Sequence, residues 1–180
     1  MNRTTVERII LVAVLIVLYA VGIFFIRRDY TEDISGTHRN ALVTMGHEYA
    51  AVIQGFSNLS GIFFEEEIAI DPVTSIMSSA WHTSTGQERA GYRALLYKNL
   101  TPLYEKLGLY RFSQLHFHFP DTTSFLRFNR PQRFGDRLDT QRESVRIVNL
   151  EKRAVSGFEA DRVSGTYRFV HPLFHHGEHV

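Results

Sequence analysis

The sequence predicts an α+β protein: an N-terminal transmembrane helix, a long helix continuing from it, and a final region built on an antiparallel sheet. Three observations predict it. Residues Ile9 to Ile26 carry no charge. Leu42, Met45, Tyr49, Val52, Phe56, Leu59 and Phe63 recur at steps of three and four, the spacing of one helix face. Beyond Gly108 the pattern changes to alternation, the spacing of a half-buried strand.

The uncharged run comes first. At ~1.5 Å per residue its 18 positions span roughly 27 Å, close to the hydrocarbon thickness of a bilayer. A secretory signal has a shorter apolar stretch and ends in small residues. This run ends Phe24-Phe25-Ile26-Arg27-Arg28, which makes a poor cleavage site and favours an uncleaved anchor. Residues 1–8 form a short leader and 9–26 the transmembrane helix. Arg3, Arg8 and the free amine flank one end, Arg27 and Arg28 the other, so the charge count barely decides orientation. The leader is too short to hold a domain, which places the N-terminus inside.

Residues 29–108 read as stalk and packing helices. The first runs from Asp29 to about Glu67 despite Gly46, Gly55 and Gly61, each costing about 1 kcal/mol against alanine. Its apolar stripe is expected to pack along a domain or a partner helix. Asp71-Pro72 marks a new start, an acid to cap and a proline for the first turn, followed by Val73, Ile76, Met77, Ala80 and Trp81 at helical spacing. Thr85-Gly86-Gln87-Glu88 fits a capping box. The helix it opens buries Leu95, Leu96, Leu100, Leu103 and Leu107, kinks or restarts at Thr101-Pro102, and ends at Gly108.

Residues 109–180 form the α+β sheet region. Tyr110 to Phe119 alternates, placing Leu115, Phe117 and Phe119 on one face and Gln114, His116 and His118 on the other. Pro120-Asp121 turns the chain into a second strand, Thr122 to Phe128. A loop over 129–135 leads to a polar surface helix, Arg137 to Glu151. Val155 to Asp161 and Thr166 to Phe174 then pair through a turn near Ser164-Gly165. His175-His176-Gly177-Glu178 has the composition of a hairpin turn, with His179-Val180 starting the return strand. A strand of two residues is an odd end for a domain, so the chain is expected to be a fragment with an incomplete sheet.

Composition narrows the function. A formal net charge of +1, with both signs interspersed, leaves no nucleic-acid footprint. With no cysteine there are no disulfides, thiolate nucleophiles or cysteine-zinc sites. No Gly-x-Ser-x-Gly elbow or phosphate-cradling glycine loop is present, so no catalytic residue, cofactor or enzymatic activity is assigned to this chain. The nine histidines need separate reading. His116 and His118 fall on one strand face, roughly 7 Å apart, and Arg127 projects from the neighbouring strand. Such a pocket suits a small anionic or polar ligand, with arginine as a forked carboxylate grip. The competing reading is an ion pair between Arg127 and Asp136 that fixes the loop; Glu159 and Arg168 pair likewise across the last hairpin. His116 with His118, or His171, His175, His176 and His179 beside Glu178, are conceivable zinc ligands. Neither group has the spacing of a metalloprotease helix, and no metal is assigned.

The runs Leu115-His116-Phe117-His118-Phe119-Pro120, Ser124-Phe125-Leu126-Arg127-Phe128 and Arg133-Phe134-Gly135-Asp136 resemble the double Cache sensor domains. So do Ser156-Gly157-Phe158-Glu159, Tyr167-Arg168 and Val170-His171-Pro172-Leu173. Those domains belong to membrane-bound bacterial diguanylate cyclases, histidine kinases and chemoreceptors. The likeness extends over roughly residues 29–180. It implies a stalk helix and a PAS-like ligand pocket in the periplasm, a homodimer formed along the long helix, and a single-pass anchor in the inner membrane. The ligand-binding candidates are then His116, His118, Arg127, Asp136, Glu159 and Arg168. The chain departs from the pattern in lacking the membrane-proximal module, second anchor and output domain. A pH-responsive variant would use the histidines. Two other classes stay open: an anchored periplasmic metalloenzyme using the histidine clusters, and a ligand-free dimerisation module.

Overall fold

The computed structural model describes the backbone of residues 3–160 and 165–180, and the side chains of 11–30, 38–160 and 165–180. The leader's side chains, the expected turn at Ser164 and the strand end at Asp161 lie outside the described residues.

The chain divides into two units, Met1–Gln54 and Gly55–Val180. The described residues of the first belong to α1, Arg3–Phe63. The first proline in the sequence is Pro72, so nothing breaks the backbone ladder between the apolar run and the segment after it. Within it Leu11–Tyr30 is long and apolar enough to cross a membrane. The stripe expected to pack does so only in part. Leu42, Met45, Tyr49 and Val52 are 56–70% exposed. Its last members, in the second unit, are the ones that become covered: Leu59 lies against the core and Phe63 is buried.

In the second unit α1 ends earlier than expected. At Phe64 the helix widens into a π-helical turn, Phe64–Ile68, closed by the Ala69 N–H donating to the Phe64 carbonyl at 2.7 Å. Then come α2 (Val73–His82) and α3 (Gly86–Leu109). Pro72, not Asp71, occupies the cap position of α2; Asp71 Oδ1 instead accepts from Thr74 Oγ1 at 3.3 Å. Thr85 does cap α3, accepting from the Glu88 N–H at 3.2 Å, while the Glu88 carboxylate takes the Thr83 hydroxyl. Pro102 sits inside α3 without ending it.

The strands are β1 (His116–His118), β2 (Ser124–Arg127), β3 (Val155–Ala160), β4 (Gly165–Val170), β5 (Phe174–His175) and β6 (Glu178–His179), with α4 (Glu143–Glu151) after β2. The class is α+β, as predicted, but the expected sheet is split. Among the described residues the strands form three two-stranded antiparallel ribbons, β1–β2, β3–β4 and β5–β6. The strand expected from Tyr110 begins only at His116. Arg111 takes a left-handed φ of 68°, and the Arg111 and Phe112 N–H groups close back onto the carbonyls of Gly108 and Leu107. β4 stops at Val170, two residues short of Pro172, which has no N–H for a ladder. In the last hairpin His176 and Gly177 have φ of 48° and 83°, the positive pair of a two-residue turn whose twist matches its strands. The expected start of α4 at Arg137 is taken by pairing instead. Arg137 bridges Thr123, and the Leu138 N–H donates to the Thr122 carbonyl at 3.1 Å.

One apolar cluster holds α2, α3 and the β1–β2 ribbon together. Met77 and Ala80 of α2, Leu96, Leu100, Leu103 and Leu107 of α3, and Phe117, Phe119, Phe125 and Leu126 are its centre. Trp81 joins it against Phe119, ring centroids 5.3 Å apart. Burying a side chain of this size stabilises by roughly 1.5–3 kcal/mol each, so this cluster fixes the platform on which the polar groups sit. α4 packs on β3 and β4 through the face carrying Val145 and Val148.

Candidate functional site

The β1–β2 register sets the site. His116 pairs with Arg127 and Phe117 with Leu126, then the register slips and His118 pairs with Ser124. Phe117 and Phe119 go to the core while the two imidazoles lie opposite, ring centroids 6.2 Å apart. His116 Nε2 is 2.9 Å from Ser124 Oγ. Burial is the main force on both rings and favours the uncharged form. It pushes His116 down to about 3, helped by Arg127, His118 and Arg168 and opposed by Asp136. His118 is pushed down to about 4, against the Phe119 carbonyl and Asp121 and with the help of His179. Both rings are therefore neutral across the physiological range, each offering one donor and one acceptor. The expectation of a switch near pH 6.5 does not fit either ring.

Arg127 is buried and its fork is engaged. Nη1 donates to Asp136 Oδ1 at 2.7 Å and to the Arg133 carbonyl at 2.8 Å; Nη2 donates to Asp136 Oδ2 at 2.8 Å. The contact holds the Asp136 carboxyl below its usual range, against a smaller opposing effect of burial. The loop is bound along the outer edge of β2 as well, with Gly135 N–H to the Ser124 carbonyl at 2.8 Å and Ser124 N–H to the Asp136 carbonyl at 2.9 Å. From α3, Arg93 donates to the Phe125 carbonyl at 2.7 Å and stacks its guanidinium 3.6 Å from the centroid of Phe134. Arg127 and Asp136 thus form the loop-fixing ion pair, and the Nη1–Nη2 fork already holds a carboxylate.

Glu159 and Arg168 also pair. Arg168 Nε stands 2.8 Å from Glu159 Oε2, close enough for strong attraction though not in hydrogen-bond geometry. The other oxygen, Oε1, accepts the Ser144 N–H in the first turn of α4 at 2.7 Å. A carboxylate there suits the positive end of a helix. The charge of Arg168 also bears on the protonation of His116, so the two ribbons are in electrostatic reach of each other. All six residues expected from the sequence are linked in this way: His116 with His118, Arg127, Asp136 and Arg168, and Arg168 with Glu159.

Four further groups were not foreseen. Among the described residues, Asn149 has both amide atoms buried without a hydrogen-bond partner, and so has the hydroxyl of Ser144; both lie on α4. Thr122 Oγ1 is likewise buried and unpartnered, on a residue with φ of 69°, unusual for a β-branched side chain. Ser124 is the fourth, through its contact with His116. The signal for the α4 pair was present. Ser144 and Asn149 flank Val145 and Val148 on one side of a helical wheel, so a helix read as polar surface has an inward polar edge. The second expected cluster is only partly kept together: the His175 and His176 rings lie 4.1 Å apart and His175 meets Thr74, but His171 meets Ser60, and Glu178 takes His82 at 3.1 Å. No group of three or more His, Asp or Glu able to hold a metal occurs among the described residues.

A family model described as the double sensory domain of two-component sensor kinase, dCache_3, matches residues 87–180. The chain belongs to this family. The match runs from the first turn of α3 to the end, and so takes in all three ribbons, α4 and every candidate residue named above. This double Cache chain is a sensory domain of a signal-transduction protein. Neither the comparison with curated proteins nor that with solved structures gives a match.

Proposed function

We propose that this double Cache chain is a membrane-anchored, extracytoplasmic sensor of a small, polar, uncharged ligand, recognised at the polar neighbourhood between β1–β2, β3–β4 and α4. The unpartnered Asn149 amide carries the reading. A buried amide without partners costs about 1–3 kcal/mol, a cost a ligand removes on binding. The neutral imidazoles of His116 and His118 supply further donors and acceptors. The charges, by contrast, are already compensated, Arg127 by Asp136 and Arg168 by Glu159. An anionic ligand would have to break one of these pairs, which makes an uncharged hydrogen-bonding ligand the better match.

Anchoring rests on Leu11–Tyr30, and the periplasmic placement on the sensory family to which the chain belongs. The exposed stripe of Leu42, Met45, Tyr49 and Val52 supports a second copy of this chain as partner along α1.

The test is melting of the full chain in lipid nanodiscs, followed by the fluorescence of Trp81, the only tryptophan. The metabolite panel is divided into uncharged, anionic and cationic compounds. An uncharged compound should raise the melting temperature of the unsubstituted chain and not that of Asn149→Leu. Shifts by anions alone would refute the ligand class; a chelator-sensitive melting point would favour the metalloenzyme reading, and silence across the panel an assembly role.

A further inference from the structure

Strand β4 carries the site on one face and reaches the end of α1 on the other through Phe112. Arg168 points to Glu159. Its neighbours Tyr167 and Phe169 alternate to the opposite face, where Phe169 meets Phe112 with ring centroids 6.0 Å apart. Phe112 in turn packs edge-on against Phe56 at 5.8 Å and Phe63 at 6.3 Å, both in the last turns of α1. Just past β4 there is a second attachment. His171 Nε2 lies 2.9 Å from Ser60 Oγ, and its ring stacks on Phe64 at 4.6 Å and 15°. Phe64 is where the helix passes from α- to π-helical hydrogen bonding.

A π-turn differs from an α-turn by one residue of register, so this segment has a discrete alternative arrangement, and such turns recur at functional positions. Two packings of one segment, biased from elsewhere, are what coupling between distant points requires. β4 is the direct link. It pairs along its whole length with β3, Gly157 opposite Arg168 and Glu159 opposite Thr166. A shift of the Glu159–Arg168 pair therefore displaces the strand as a unit.

We propose that His171 is a positioning residue that passes the state of the Glu159–Arg168 pair to the α-to-π junction of α1, with the Phe169–Phe112 contact as a parallel brace. This rests on the sensing reading and supplies its regulation: the ligand acts on β4, and β4 acts on the residues that end the long helix.

The test is a double-mutant cycle read by amide hydrogen exchange over residues 59–69 of the full chain in nanodiscs. Arg168→Lys perturbs the pair without a ligand. It should speed exchange in that segment by at least about fivefold, the low end of typical coupling between sites. In a His171→Phe background, which keeps a ring against Phe64 and loses the bond to Ser60, the same substitution should have less than half that effect. His171→Gln, which can still reach Ser60, should restore part of it. If His171→Phe fails to fold by Trp81 fluorescence, Ser60→Ala removes the same bond from the other side. An undiminished effect of Arg168→Lys in either background overturns the proposal, as does no effect in the unsubstituted chain. The metabolite melting screen uses the unsubstituted chain. Its silence counts against ligand sensing, whereas uncoupled exchange counts against His171 alone.

Discussion

Acid should destabilise this protein well above the pH at which its carboxylates titrate, and His116 and His118 are the reason. Both are held neutral in the fold, with values of about 3 and 4 against an ordinary 6.5. Below 6.5 the unfolded chain takes up protons that the folded chain refuses, so stability falls with falling pH. The loss begins near 6.5 and stops only when the folded rings protonate, near 4 for His118 and near 3 for His116. At pH 5 both folded values are still well below the ambient pH, so the loss is governed by the unfolded reference. Linkage then gives roughly 2 kcal/mol for each ring and about 4 kcal/mol for the pair. Burial lowers His171 and His179 too, which adds to the loss in the same direction. The carboxylates held low by partners, Asp136 among them, contribute only at more acid pH. Against an ordinary domain stability of about 5–15 kcal/mol this is a large fraction. Urea unfolding in detergent, followed by Trp81 fluorescence at pH 7.5 and pH 5.0, measures it. His116→Gln and His118→Asn should each recover about 2 kcal/mol of the difference. If neither substitution reduces the pH dependence, the rings are not held neutral by burial and the description of the site is wrong.

Three other outcomes are expected. Arg127→Ala leaves Asp136 with an unpaired charge; because the Asp136 side chain is 36% exposed, the cost should be about 2 kcal/mol rather than the ~3–5 kcal/mol of a fully buried pair. Adding Asp136→Asn should return part of that loss, read from the urea midpoint. Asn149→Leu removes a buried amide that has no partner, and without ligand it should raise the urea midpoint by about 1 kcal/mol equivalent. Thr85→Ala removes the acceptor for the Glu88 N–H and should cost about 1 kcal/mol, while Thr85→Gly should cost only a few tenths.

What could be read from the sequence was whatever depends on neighbours in the chain. The change of period after Gly108, the capping Thr85 and the alternation that separates Phe117 from His116 are all local, and the structure has them. Where the reading failed, a distant partner had decided. Residues Arg137 and Leu138 look helical by composition, but Thr122 and Thr123 claim their backbone groups. Leu42 and Met45, on the stripe expected to pack along a domain or a partner helix, are 70% and 64% exposed. The separation into three ribbons depends on which edges meet, which no periodicity records. The site shows the same division. His116, His118 and the two ion pairs stood out by residue type, whereas Asn149 and Ser144 needed the knowledge that α4 turns that edge inward.

The distribution of charge bears on how such a site can signal. A ligand shifts a conformational equilibrium only by the difference in its affinity for the two states. Contacts present before and after binding contribute nothing to that difference. The Arg127–Asp136 pair is satisfied without ligand and anchored by the Arg133 carbonyl, so it is suited to holding the loop still in both states. Asn149 and Ser144 are the reverse case: their partners are missing, and any state that supplies them gains about 1–3 kcal/mol per group. One or two such bonds match the free energy that typical coupling uses. Glu159 lies between the two kinds, since it holds the first turn of α4 through Ser144 and β4 through Arg168. A ligand drawn in by the Asn149 amide would therefore work against Glu159 first. Glu159→Gln should accordingly weaken the response of residues 59–69 to ligand more than it weakens ligand binding itself, and equal losses in both would remove Glu159 from the link.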